Sequence, residues 1–197
     1  MRVDVIQRID AHAASQTITR EYEPVTVLVN SAGVLTMTRF PNLTERECRD
    51  AFDVNVYGTY LEGHGFGRSM AMGGDDELST VAGKVALTDR ARYYASKAGA
   101  IVLTRVMTLE LARRTGRVFT VCPGAGDTDM FNHCLSWTPY RDAKDRDEPL
   151  KEWFVPSKLR RIIKAVEVAA LVLCPARGPV DALTGHALSC DGGAAPW

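Results

Sequence analysis

The sequence predicts an α/β fold in which a parallel sheet lies between two layers of helices. Three observations carry this. Val25-Thr26-Val27-Leu28-Val29 is β-branched and almost wholly apolar, bounded by Pro24 and Asn30, as in a strand covered on both faces of a parallel sheet. Helical stretches alternate with strand-like runs along the chain. Turns of small residues follow the strands directly, at Asn30-Ser31-Ala32-Gly33 and Pro123-Gly124-Ala125-Gly126-Asp127-Thr128. Open sheets of this kind bind ligands at the carboxyl ends of their strands.

Taken in order, Val3-Asp4-Val5 reads as the tail of a strand, followed by a helix from about Ile6 to Tyr22 and the Val25–Val29 strand. Thr44-Glu45-Arg46-Glu47 is a capping box, in which the Thr hydroxyl and the Glu carboxylate satisfy helix-end amides reciprocally. It opens a helix expected to reach about Met72. Within that helix Asn55 and Gly58 are poor helix formers, so a local kink is expected there. Gly73-Gly74 should break the helix. The alternation of elements then asks for a buried strand over 75–80, to which Asp75, Asp76 and Glu77 are badly suited.

A long helix ending near Arg114 carries Tyr93 and Lys97, with Ile101, Leu103, Val106, Leu109 and Leu111 as core candidates. Arg117–Cys122 is a strand, and the Gly-rich loop after it could bring backbone amides close to an anion. Residues 131–160 read as an irregular lid or surface excursion containing Trp137, Trp153 and Phe154. A helix over about Ala165–Leu173 and a short strand before Asp191-Gly192-Gly193 complete a single domain spanning 1–197.

Composition excludes several functions. Lys plus Arg and Asp plus Glu both number 24, so no basic excess suggests nucleic acid or an anionic membrane surface. No apolar run approaches the ~20 residues of a spanning helix. The five cysteines, 48, 122, 134, 174 and 190, lack Cys-x-x-Cys spacing. That pattern predicts reduced thiols in a cytoplasmic protein and no metal site.

The chemistry concentrates in Tyr93-Tyr94-Ala95-Ser96-Lys97-Ala98-Gly99-Ala100. Helical residues four apart share a face, so the Tyr93 phenol and the Lys97 ammonium can point into one space. A fixed cation beside a phenol favours the phenolate and suits the phenol to proton exchange. The spacing alone is weak evidence. Tyr140-Arg141-Asp142-Ala143-Lys144 repeats it in a charged, loop-like setting with no such surroundings.

Taken together, these motifs resemble the short-chain dehydrogenase/reductase family, a Rossmann-like doubly wound fold. The similarity rests on Asn30–Gly33, Asn55, the Tyr93–Lys97 helix, the Pro123–Thr128 loop, and Leu183-Thr184-Gly185 with Asp191-Gly192-Gly193. The resemblance implies an NAD- or NADP-dependent interconversion of a small alcohol and its ketone. Tyr93 would be the acid or base, Lys97 would lower its pKa and bind the nicotinamide ribose, and Asn55 would hold a relay water. Thr80 stands thirteen positions before Tyr93, where the family carries a catalytic Ser. Asn30, Ala32 and Gly33 would line the cofactor's path, Pro123, Gly124 and Thr128 would hold its nicotinamide end, and Asp4 would contact adenine. A homodimer or tetramer is expected.

Against this pattern, no Thr-Gly-x-x-x-Gly-x-Gly turn occurs in the sequence, and such a turn binds the pyrophosphate. In the family order its strand and the next lie beside Val25–Val29. The expectation is therefore a domain lacking its first two strands, with Val25–Val29 as an open edge that invites pairing. A shortened gene product, or a non-catalytic scaffold or oligomer subunit, is the alternative reading.

Overall fold

The computed structural model describes the chain apart from residues 23–24, 68–72, 79–82, 141, 143–144, 146, 148, 150–156, 178–180 and 196–197. For 67, 73–78, 111–116, 175–177 and 181 it describes the backbone alone. Four parallel strands, β1 (Val27–Asn30), β2 (Gly73–Leu78), β3 (Gly116–Pro123) and β4 (Ala187–Cys190), pair in the order β1-β2-β3-β4. Val27 faces Gly74, Gly73 faces Gly116, and Thr120 faces Ala187 in the register.

Successive strand residues point to opposite faces. Phe119 and Val121 of β3 are fully buried against Val172, Val168 and Leu171 of helix α6 (Ala165–Arg177). Helices α3 (Thr59–Gly67) and α4 (Ala91–Thr115) pack on β1, β2 and β3, with α1 (Arg8–Glu21) against α3. The result is the three-layer αβα arrangement read from the sequence.

Three expectations need correction. Residues 3–5 form no strand: the Asp4 carboxylate accepts the Ile6 amide at 3.2 Å, and its carbonyl accepts the Gln7 amide at 2.9 Å, making a turn into α1. Gly73 and Gly74 open a strand rather than merely ending a helix, and β2 holds an inner position between β1 and β3 despite its acidic run. Backbone pairing on both sides outweighs its poor strand propensity. Among the described residues the strand at Val27–Asn30 is the open edge expected of it, but Val27 and Val29 are 37% and 41% exposed rather than covered on both faces.

The kink expected near Asn55 is a π-turn. Helix α2 (Glu45–Phe52) runs into π geometry over Asp53–Gly58 before α3 begins. Such single-turn insertions concentrate at functional sites. Gly58 sits at a close approach there, since a Cβ would stand 3.0 Å from Val5 Cγ2.

The capping box forms as read. The Thr44 hydroxyl accepts the Glu47 amide at 3.2 Å, and Glu47 accepts the Thr44 amide at 3.0 Å. Thr44→Ala should therefore cost about 1 kcal/mol in denaturant unfolding. The Thr44 amide first, then Arg92 at 2.8 Å and the Thr44 and Thr38 hydroxyls, hold the Glu47 carboxyl down at about 2, against an ordinary 4.5. A depressed carboxyl stabilises above its unfolded value and loses that contribution as pH falls. Melting curves should show the native chain losing stability between pH 4.5 and about 2, with a shallower fall in Glu47→Gln.

Candidate active site

A cleft of about 700 Å³ opens at the carboxyl end of the sheet. The end of β1 with Ser31 and Gly33, the start of α4, the loop after β3, and α6 form its walls. Tyr93 and Lys97 lie on the same wall, and Lys97 Nζ stands 6.0 Å from the Tyr93 ring centroid. One helical turn thus brings phenol and ammonium together, as their spacing predicts. Tyr94 meets Tyr93 edge-on at 6.0 Å, and Leu35, Val85 and Leu87 pack against this pair.

Asn55 is the internal brace of this wall. It is 1% exposed. Its Oδ1 accepts the Val34 amide at 2.9 Å, and its Nδ2 donates to the Val34 carbonyl at 3.1 Å and to Ser96 Oγ at 2.9 Å. Ser96 Oγ in turn donates to the Tyr93 carbonyl at 2.9 Å. One amide therefore ties the turn after β1 to the helix that carries Tyr93.

On the opposite side, Pro123, Gly124 and Thr128 line the cleft. Thr128 also caps a short helix, α5 (Asp129–Leu135), by accepting the Phe131 amide at 3.2 Å. The irregular stretch expected from 131 therefore begins with a helix. The loop amides are engaged internally: Gly124 N–H donates to the Cys190 carbonyl at 3.0 Å and Asp127 N–H to the Ile163 carbonyl at 3.1 Å. Those two are not the free anion cradle the glycines suggested. Gly124 serves close packing instead, since a Cβ there would lie 3.0 Å from Asp191 Cα.

Of the residues named from the sequence, Gly33, Tyr93, Lys97, Pro123, Gly124 and Thr128 meet in the cleft, with Asn55 directly behind. Asn30 and Ala32 are not among its lining residues, and neither is Asp4. Thr80, Trp153 and Phe154 fall outside the described residues, as does Lys144, while Tyr140 packs on Phe131 and Leu135. Sequence reasoning missed Arg90, Tyr94, Met130, Phe131 and Cys134 as lining. Arg90 had a usable signal, for it stands three residues before Tyr93 and so on the same helical flank.

A parallel sheet between helices, with a Tyr–Lys pair in the cleft at its carboxyl end, has the ligand-binding layout of a doubly wound α/β fold. Comparisons with known proteins narrow this. Residues 1–195 match the family model described as enoyl-(acyl carrier protein) reductase. The 2,3-dihydro-2,3-dihydroxybenzoate dehydrogenase of Bacillus subtilis strain 168 is 32% identical over 184 residues, covering 90% of this chain and 69% of the relative. The 3-oxoacyl-[acyl-carrier-protein] reductase of Chlamydia muridarum is 28% identical, covering 98% and 75%. The aldohexose dehydrogenase of Thermoplasma acidophilum superposes with a TM-score of 0.90 at 26% identity, over all of this chain and 78% of that one. A variant of the actinorhodin polyketide ketoreductase, solved with NADPH, gives 0.88 at 27%, over 99% and 77%. The chain belongs to the short-chain dehydrogenase/reductase family, and by family it is an NAD(P)-dependent oxidoreductase.

Proposed function

We propose that this chain interconverts an alcohol and a ketone with NAD or NADP, with Tyr93 as general acid in reduction and general base in oxidation. The observation that carries this reading is the shared wall on which Tyr93 and Lys97 face the cleft. The residues present fit the nicotinamide end of the cofactor. A methyl at Gly33 would stand 3.4 Å from Lys97 Nζ and 3.3 Å from Asn55 Oδ1, so glycine keeps the space beside the ammonium open. Lys97 would hold the ribose, and Pro123, Gly124 and Thr128 would flank the ring. The cofactor supplies hydride to the carbonyl carbon, or accepts it from the alcohol.

The work of the protein is proton placement. The Tyr93 phenol would donate its proton to the carbonyl oxygen in reduction, and the phenolate would take it back in oxidation. The Lys97 ammonium favours that phenolate. Ser96 and Asn55 hold the Tyr93 turn against the turn after β1. The relatives named above are by their printed names a dihydrodihydroxybenzoate dehydrogenase, a 3-oxoacyl reductase and an aldohexose dehydrogenase, which supports a hydroxyl or carbonyl carbon as the reacting centre.

Val106 and Leu109, core candidates by sequence, are instead exposed with Val102 along one flank of α4, Leu109 at 86%, which supports a homo-oligomer. The five free cysteines support a reducing, cytoplasmic setting, and among the described residues no helix is long and apolar enough to cross a membrane. Titration with NADH and NADPH, followed by nicotinamide fluorescence, tests the reading. Saturable binding of one nucleotide and its oxidation on adding a ketone are expected. Binding of neither would leave a non-catalytic scaffold.

A further inference from the structure

We propose that Arg90 anchors the substrate, and that the substrate it takes carries a carboxylate a short distance from the reacting carbon. This deepens the oxidoreductase reading and rests on it for the identity of the reacting group. Arg90 immediately precedes α4, lines the cleft beside Tyr93, and is 4% exposed. A buried guanidinium on the wall that carries the acid–base phenol is placed to meet a substituent of a substrate held against that phenol.

Two features fix it there. Its guanidinium hydrogen-bonds the Tyr94 phenol; burial pushes that phenol up, and the Arg90 charge and hydrogen bond oppose the rise. Asp89, the residue before it, has φ of 64°, a left-handed conformation that non-glycine residues adopt sparingly and often at functional sites. The Asp89 carbonyl accepts the Thr38 amide at 2.8 Å, so the turn delivering Arg90 is pinned to the segment after β1.

The rest of the cleft selects what the guanidinium can hold. Among the described residues, Arg90 and Lys97 bring two cations to the lining against the one carboxylate of Asp127, a balance that favours an anion. Met130, Phe131 and Cys134 on the facing wall offer an apolar surface to the body of the substrate. A guanidinium takes a carboxylate through two parallel hydrogen bonds, which fix orientation as well as position. Held at that end, the substrate would present its carbonyl to Tyr93 one helical turn along. If Arg90 served only to prop Tyr94, the charge of the ligand would not matter.

Isothermal titration of the full chain with 4-acetylbenzoate and with its methyl ester separates these possibilities, with and without saturating NADP. The native chain should bind the carboxylate about tenfold more tightly than the ester. Arg90→Gln should remove the preference, and Arg90→Lys should keep part of it. Equal affinities in the native chain, binding of neither compound, or an undiminished preference in a folded Arg90→Gln chain would overturn the proposal. Binding needs no hydride transfer, so its failure is distinct from failure of the oxidoreductase reading. A chain that prefers the carboxylate yet never oxidises NADPH would retain the anchor and lose the reaction.

Discussion

Tyr93→Phe should lower the rate of nicotinamide-dependent ketone reduction by about 10²–10⁴-fold, the range supplied by a positioned acid or base. Nucleotide binding and folding should survive, because the ring is kept and only the hydroxyl goes. The Tyr93 ring packs with Tyr94, Leu35, Val85 and Leu87, all contacts that a phenyl group reproduces. The loss should fall on turnover rather than on nucleotide affinity, as for an interaction made only in the transition state. Steady-state kinetics beside a nucleotide titration read both quantities. An equal fall in affinity would place the hydroxyl in nucleotide binding instead.

Asn55→Ala should injure both stability and rate. Truncation strips a partner from the Val34 amide, the Val34 carbonyl and Ser96 Oγ in one step. Leaving such groups without hydrogen bonds costs about 1–3 kcal/mol. The brace between the turn after β1 and the Tyr93 helix goes with them, and loose placement of a catalytic group can cost about 10²-fold in rate. Urea unfolding with an unchanged slope should report the stability loss. Tyr93→Phe offers the contrast, since it should lose rate with little loss of stability.

The pair of variants follows from what the sequence made legible. Tyr93 and Lys97 meet because i and i+4 share a helical face, a rule of local geometry that needs no tertiary information. The capping box at Thr44 and the disruption around Asn55 and Gly58 are local in the same way, and both formed where read. Failures of reading came where long-range contacts decide. Gly73–Leu78 has a composition hostile to strands, yet neighbours on both sides of the sheet hold it. Which residues of the turn after β1 border the cleft is likewise not local, and Ser31 and Gly33 do so. The exposed Asp4 carboxylate accepts the Ile6 amide in the turn into α1, and a lone Asp in the sequence gives no sign of which amide it will accept. Arg90 was overlooked because a charged residue before a helix ordinarily faces solvent. It lines the cleft together with Tyr94 and with residues of α5, a helix within a stretch that read as irregular.

The account stands most directly on hydride transfer in the cleft. Incubating the chain with nicotinamide nucleotide deuterated at C4 and a set of ketones, then weighing the alcohols formed, measures that transfer itself. One deuterium in the product alcohol is expected with the native chain, and a strongly reduced yield with Tyr93→Phe. A native chain that binds the nucleotide yet returns no labelled alcohol, or a Tyr93→Phe chain that labels as fast as the native one, would contradict it.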